Sequence, residues 1–380
     1  MPSIGLSSIA RELPIPIVTI GHDSFEYESI TPALDAAFAS LYASLASGQA
    51  PNAQAFDPVA VAYLATTASP DDQDRYFNNF TAYWMRRLQQ GHFRAASHIW
   101  PWALRPVLAY ESASGKLIHK GSPYFFWAMS SLLNSDLDVG YLLLNRAFEE
   151  DIRTHGSVSP NTPGLAVATL DDTVLDNILR PYVQMQAAAL ERRLSTFRAK
   201  YRRALTLQQF RAKFLALPQL RQTVSMFSYA LARAERFVTF DPQLWIGTFP
   251  SQIAFDTVFD LCLVVDDALH QKNPSKWKFF DHALFLSKAG ALGLQRSELT
   301  AINQAFAGGF TPTLSALLSG TFAIGEGAPL NGVARSVAIT YGCRNRGAHT
   351  ISSTGLTATD YTATVDHILY TLCFTVDVLY

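Results

Sequence analysis

The sequence is poor in charged residues, in cysteine and in long apolar runs. Only 16% of its 380 residues are charged and 49% are hydrophobic, whereas about a quarter of an average globular chain is charged. We therefore expect a large core. Cys262, Cys343 and Cys373 form no CxxC pair and leave an odd number, which predicts a reducing, cytoplasmic location. No apolar run is long enough for a membrane span, and no secretion signal is predicted at the N-terminus.

The sequence also lacks the short motifs of several enzyme classes. It contains no Walker A sequence, no GxGxxG after a strand, no HExxH and no GxSxG, which counts against the enzymes that use them. No cofactor and no metal site are predicted. Five of the nine histidines have no recognisable partner pattern and are interpreted as ordinary: His92, His98, His119, His155 and His367.

Charge is unevenly distributed along the chain. The formal net charge is −8 over residues 1–179, +10 over residues 180–236 and −3 over residues 237–380. A basic segment therefore lies between two acidic ones. Such a segment either meets an anionic partner such as RNA or pairs with acids of the same chain.

The apolar periodicity predicts an all-α protein. We expect an N-terminal domain of helical hairpins over residues 1–165, a basic helical linker over 166–240 and a C-terminal bundle of four or five helices over 241–380. The last helix is expected over 358–379. The N-terminal domain would bind a protein partner or sense an activating signal.

Two stretches of the N-terminal domain predict helical hairpins. The first turns near Gly91, and the second turns between Ser135 and Gly140. Both are reminiscent of tetratricopeptide repeats, with an aromatic-rich helix, a short turn and a helix of small residues. However, the offset between them is 44 residues instead of about 34, and Pro101 interrupts the first. We therefore favour irregular hairpins over true repeats.

The basic segment predicts a long helix after Pro181. An apolar stripe runs along it at helical spacing, and most of its arginines lie off this stripe. The stripe consists of Leu190, Leu194, Phe197, Tyr201 and Leu205. The candidate RNA-binding arginines are Arg192, Arg193, Arg202 and Arg203. Two interpretations are equal here: these arginines contact an RNA backbone, or they dock the helix on the acidic N-terminal domain.

Arg344, Asn345, Arg346 and His349 lie within six residues near the C-terminus. Arginine has a planar fork of donors that suits phosphate, and histidine titrates near neutral pH. Gly347 is suited to end the helix in a left-handed conformation, which would let His349 fold back towards Arg344. This cluster predicts metal-free cleavage of a phosphodiester, with RNA as the substrate.

The pattern Arg344-Asn345-x-x-x-His349 resembles the R-polar-x(3–5)-H signature of the HEPN superfamily, the higher-eukaryote and prokaryote nucleotide-binding domains. This resemblance implies a helical bundle that acts as a homodimer. It also implies that His349 moves a proton, Arg344 binds the scissile phosphate, Asn345 orients a group and Arg346 supports phosphate binding. Family members with an added sensing domain are typical of bacterial antiviral and toxin systems.

The resemblance leaves alternatives open. A HEPN fold without activity would serve as a dimerisation or binding module, and a toxin-type ribonuclease would be held inactive by a cognate partner. In a purely structural interpretation, Arg344 caps helix carbonyls and His349 packs in a turn.

Several acids precede this motif on a predicted helix. Asp256, Asp260 and Asp267 share one face, which favours a solvated stripe over a magnesium site. We expect Asp266 or Asp267 to pair with Arg344 across the bundle.

Overall fold

A computed structural model describes most of the 380 residues. The described ranges are 29–66, 70–159, 162–173, 178–239, 245, 248–325, 327–346 and 356–380, without the side chains of 70–72, 248, 249 and 346. Within these ranges the protein is all-α, as predicted, and the only extended pairing is an isolated bridge between Ala323 and Pro329. No helix in them is both long and apolar enough to cross a membrane.

The N-terminal half contains eight helices among the described residues. They are α1 Pro32–Ala46, α2 Ala53–Thr66, α3 Pro70–Gln89, α4 Phe93–Ser97, α5 Trp100–Ser114, α6 Gly121–Leu133, α7 Leu137–His155 and α8 Pro163–Ala168.

The C-terminal half is also helical. Its α-helices are α9 Arg180–Tyr201, α10 Leu207–Phe210, α11 Arg221–Val238, α12 Thr248–Lys272, α13 Phe279–Ala289, α14 Arg296–Gly308, α15 Phe310–Ser319, α16 Gly332–Arg346 and α17 Ala358–Leu379. A π-helical turn at Arg211–Leu215 and a 3₁₀ turn at Pro218–Leu220 connect α10 to α11.

The described residues divide into two compact units. One, here called the N-terminal unit, comprises residues up to 166 together with 178–179, and the other, the C-terminal unit, comprises 167–173 and 180–380. The segment predicted as a linker over 166–240 therefore lies mostly inside the C-terminal unit. The reason is that the apolar stripe of α9 is buried there, with Leu190, Leu194 and Phe197 fully inaccessible.

The second predicted hairpin is present as α6 and α7. Ser135 adopts a positive φ of 63° in the turn, and the Asp136 side chain accepts a hydrogen bond from the Val139 amide at 3.3 Å. Capping of this kind satisfies one of the unpaired N–H groups at the start of a helix. Local turn and cap residues thus determine where α7 begins.

The first predicted hairpin differs from expectation. After the turn at Gly91, where φ is +71°, the chain forms the short helix α4 before α5 begins at Trp100. Proline is favoured in the first turn of a helix and disrupts its interior. Pro101 is the second residue of α5. The second arm of the predicted hairpin is therefore divided into two helices, α4 and α5.

The core of the C-terminal unit is built around α12. This helix packs against α11, α13, α16 and α17, and its Val258, Leu261 and Val265 are almost completely inaccessible. Among the described residues, six helices follow residue 247, one or two more than the predicted bundle, because α12 ends at Lys272 and a separate helix, α13, begins at Phe279. The last helix, α17, has the predicted bounds 358–379.

All three cysteines lie in this core. Cys262, Cys343 and Cys373 are buried and free, on α12, α16 and α17 respectively. Burial raises the pKa of each thiol above its ordinary value, because a thiolate is poorly solvated in an apolar interior. They therefore act as small apolar core residues.

The packing of α16 on α14 depends on Gly342. A Cβ atom at this position would overlap the ring of Phe306. We expect Gly342→Ala to lower the midpoint of thermal unfolding, because the overpacking costs about 1–3 kcal/mol and outweighs the gain of about 1 kcal/mol in helix propensity. Differential scanning fluorimetry measures the change.

Gly308→Ala is the matched control. Gly308 is the last residue of α14, and a Cβ there would meet nothing within 4 Å. This variant should keep or raise the midpoint. An equal loss in both variants would contradict the packing argument.

Candidate functional site

Arg344 lies in the last turn of α16, where the motif begins. Its Nε donates a hydrogen bond to Oδ2 of Asp266 on α12 at 3.0 Å, and its guanidinium lies 5.2 Å from the centre of the Phe259 ring. The side chain is 28% exposed. The expected pairing of Arg344 with one of the two neighbouring acids is thus present, at Asp266, and a functional role for that pairing stays a prediction.

His282 lies on the other side of the same carboxylate. Its Nδ1 is 2.8 Å from Oδ1 of Asp266, and its Nε2 is 3.1 Å from the carbonyl oxygen of Lys276. Both neighbours are acceptors, so both ring nitrogens must carry a proton to satisfy them. Although burial alone would lower the pKa of His282, the hydrogen bonds to Asp266 and Lys276 raise it above its ordinary value. Asp266 therefore lies between two cations.

A cavity of about 460 Å³ opens beside this pair. Arg344, Asp266 and His282 line it together with His270 and Trp277. Nδ1 of His270 is 2.9 Å from the same Lys276 carbonyl, to which it donates. The Trp277 indole is 82% exposed and lies 4.5 Å from the His270 ring centre.

The remaining acids of α12 have other partners. Arg233 on α11 pairs with Asp260 at 2.5 Å and with Asp256 at 3.0 Å, and Asp267 accepts a hydrogen bond from Thr223. The interpretation as a solvated stripe needs correction, because Asp260 and Asp267 are used in packing against α11. A carboxylate that already has a cationic partner is also a poor candidate for a metal ligand.

The arginines of α9 are placed very differently from one another. Arg193 is only 3% exposed and pairs with Glu235 at 2.5 Å and Asp366 at 2.8 Å. Such a side chain cannot reach an RNA backbone, which disagrees with its predicted role. Arg192 is 60% exposed and shares Glu235. The RNA-contact interpretation therefore cannot hold for all four arginines, because Arg193 is buried and Arg192 is exposed.

The other two arginines lie at the end of α9. Arg203 pairs with Asp377 at 3.3 Å and stacks on Phe374, whereas Arg202 is exposed and has a positive φ of 52°. The acids that pair with the arginines at 192, 193, 198 and 203 belong to α9, α11 and α17, all within the C-terminal unit. Docking of this helix on the acidic N-terminal domain stays a prediction.

Part of the motif lies outside the described residues. Asn345 is half-buried. Helix α16 ends at Arg346, and the next residue is Gly347, which was expected to end the helix. Gly347 and His349 fall in the range 347–355, which the structure does not describe. The approach of His349 to Arg344 therefore stays a prediction.

His270, His282 and Trp277 were not found from the sequence. His270 follows Asp266 by four residues on one helix, and this i,i+4 spacing was an available signal. His282 belongs to α13, a separate helix, so only the tertiary packing brings it to Asp266. Comparisons of the chain with protein-family models, with curated proteins and with solved structures found no match.

The buried pairing of Arg193 predicts a large effect on stability. We expect Arg193→Met to lower the free energy of unfolding by about 3–5 kcal/mol, because it leaves Glu235 and Asp366 without their buried cation. Arg192→Met, the exposed control on the same acid, should cost about 0–1 kcal/mol. Urea denaturation followed by circular dichroism compares the two, and equal losses would contradict a structural role for Arg193.

The charged state of His282 predicts a pH dependence. Its raised pKa means that the folded state binds the proton more tightly than the unfolded state, so its contribution is full below the ordinary value of 6.5 and is lost as pH rises through the raised value. We expect the stability difference between the native protein and His282→Gln to shrink as the pH rises above 6.5. Urea midpoints measured at increasing pH check it.

The exposed His98 provides a control for this titration. His98→Gln removes an exposed imidazole and should change the stability by only a small amount. A His282→Gln difference that grows with pH would mean that His282 is neutral in the folded protein.

Proposed function

We propose that the C-terminal unit is a metal-independent endoribonuclease that cleaves RNA through attack of a 2′-hydroxyl group. The observation that supports it most is the position of Arg344, whose guanidinium is oriented by Asp266 at the edge of an open cavity. A guanidinium in this position suits a phosphate, because its paired N–H donors match two oxygens and its charge offsets that of the transition state.

The motif supplies the reacting groups of this proposal. Arg344 binds the scissile phosphate, and His349 takes the proton of the ribose 2′-hydroxyl or gives a proton to the leaving 5′-oxygen. The 2′-oxygen bonds to phosphorus as the bond to the 5′-oxygen breaks. The products are a 2′,3′-cyclic phosphate and a 5′-hydroxyl. Asn345 orients a group by hydrogen bonding. DNA is not cleaved because it lacks the nucleophile.

The neighbours of Arg344 prepare it for this role. Asp266 holds the guanidinium through Nε, which commits one of its five donors to that contact. Because Asp266 also faces the cationic His282, its single negative charge is divided between two cations. Arg344 is therefore less completely neutralised than in an isolated pair. The exposed Trp277 offers a flat surface on which a base can stack.

Contacts to the RNA backbone would come from the exposed arginines. Arg192 on α9 and Arg202, directly after it, are exposed. Arg346 is added because it follows the motif arginine by two residues. Arg193 is omitted from this set because it is buried, and Arg203 because it is paired with Asp377. Supporting phosphate contacts strengthen binding without selecting a sequence.

The wider role follows from the HEPN resemblance and the two-unit organisation. We place the enzyme in the cytoplasm as a homodimer formed through the C-terminal unit, in a bacterial antiviral or toxin system. The N-terminal unit receives a protein partner or an activating signal, and the C-terminal unit cleaves RNA.

A second candidate is a HEPN-like scaffold without activity. It is favoured by the contacts of Arg344, which makes an ion pair with Asp266 and lies over Phe259. Both contacts join α16 to α12, so Arg344 has a structural use as well. In that case the unit dimerises or binds a partner and cleaves nothing.

Ribonuclease assays with single-stranded RNA in the presence of EDTA test the proposal. We expect His349→Ala to reduce the cleavage rate by about 10²–10⁴-fold through loss of proton transfer. Arg344→Ala should reduce it by about 10²–10³-fold through loss of charge stabilisation. Replacing the 2′-hydroxyl at the cut site by hydrogen should abolish cleavage.

The matched controls are Arg296→Ala and His98→Ala. Arg296 is exposed on α14, with a long 3.6 Å pair to Asp281, and both variants should retain full activity. Cleavage that is undiminished in His349→Ala, or that needs a divalent ion, would refute the proposal. A native protein that is dimeric by mass measurement but leaves RNA intact would support the scaffold instead.

A further inference from the structure

A second cluster of reactive side chains lies in the N-terminal unit, where the sequence indicated nothing. His119 is in the segment before α6, and Asp151 and His155 are in the last part of α7. One ligand atom from each of the three lies within 4.8 Å of the other two. Asp151 and His155 are four residues apart and so share one face of α7.

We propose that His119, Asp151 and His155 form a binding site for one divalent transition-metal ion, with Zn²⁺ as the preferred ion. Two imidazole nitrogens and one carboxylate oxygen are the donor set of zinc sites that retain an open fourth position. The fourth ligand is water, since His155 is exposed. This proposal is independent of the ribonuclease proposal, which concerns the other unit.

The separations of the donor atoms fit such an ion. Nε2 of His119 is 2.8 Å from Oδ1 of Asp151, and the full set extends to at most 4.8 Å. Tetrahedral bonds of about 2.0–2.1 Å put ligand atoms about 3.3 Å apart. The His119–Asp151 separation is shorter than this value and no separation exceeds 4.8 Å, so side-chain adjustments are sufficient to complete the site. On binding, the metal replaces the proton on Nε2 of His119, and the neutral ring carries its proton on Nδ1 instead.

Gly121 keeps the centre of the cluster open. A Cβ atom at this position would lie 2.6 Å from Nε2 of His119 and 2.8 Å from Oδ1 of Asp151. Any other residue would therefore displace the two atoms that would bind the ion. The need for glycine here comes from this close approach, not from a positive φ.

Hydrogen bonds outside the cluster orient two of its members. Thr162 donates to Oδ2 of Asp151 at 3.3 Å, which leaves Oδ1 directed at His119. The Thr154 hydroxyl lies 3.1 Å from Nδ1 of His155, so Nε2 is the nitrogen available to a metal. Outer hydrogen bonds of this kind fix ligand orientation in metal sites.

A buried ionic network fixes the two segments that carry the ligands. Lys120, only 1% exposed, pairs with Glu111 at 2.7 Å and with Glu150 at 3.1 Å. Arg153 on α7 joins the same two acids and the carbonyl of Ile118. Lys120 is adjacent in sequence to His119, and Glu150 to Asp151. The network therefore holds both ligands in place.

Metal binding by the purified full-length chain tests this proposal. After treatment with a chelator, the protein is titrated with Zn²⁺ against a chromophoric competitor, and its metal content is measured by mass spectrometry. We expect one Zn²⁺ per chain. His155→Ala, at an exposed position, and His119→Gln should each weaken binding by about a hundredfold or more, since each removes a direct ligand. Co²⁺ should give the visible absorption of a four-coordinate site.

His98→Ala is the matched control, because His98 is an exposed histidine of the same unit outside the cluster. It should bind Zn²⁺ as the native protein does. Circular dichroism verifies that the variants fold, and His155→Ala decides the outcome if His119→Gln does not. Absence of stoichiometric binding in the native protein, or unchanged affinity in His155→Ala, would overturn the proposal.

Discussion

The carboxylate of Asp266 is the contact on which the candidate site depends. It projects from α12, around which the C-terminal unit packs, and accepts from Arg344 of α16 and from His282 of α13. A single acid thereby connects three helices, one of which, α16, follows about 60 residues further along the chain. A charge at this depth is tolerated only because cations surround it. The orientation of Arg344 is consequently a property of the packed bundle and not of the short motif alone.

Several charged side chains of the basic segment form ion pairs within the C-terminal unit. The basic segment around α9 has a large positive net charge, yet Arg193 is fully enclosed and Arg203 is paired with Asp377. Only a subset of its arginines faces solvent, among them Arg192 and Arg202. Net charge per segment therefore overstates the surface available to a nucleic acid. Arginines that pair with acids of the same unit have to be left out of the count before such a segment is assigned a ligand.

Several features could be predicted from the sequence because they depend on neighbouring residues. The bounds of α17 and the apolar stripe of α9 both follow from the periodicity of the apolar residues. The pairing of Arg344 with an acid of α12 was also anticipated. This pairing could be anticipated because a charged side chain inside a helical bundle needs a partner of opposite charge.

Other features could not be predicted, because they arise where separate segments meet. His282 reaches Asp266 through the packing of α13 on α12, and no local pattern encodes that contact. His119 was interpreted as ordinary, although it meets Asp151 across 32 positions of sequence. The burial of Arg193 likewise depends on Asp366, which is contributed by the last helix.

The enclosed thiols of the bundle have a practical consequence. Cys262, Cys343 and Cys373 have no solvent access and have pKa values above the ordinary range, so alkylating reagents can modify them only after the helices separate. Cys343 directly precedes Arg344. The rate at which Cys343 is alkylated would therefore report how often the last turns of α16 open, and no additional probe residue has to be introduced.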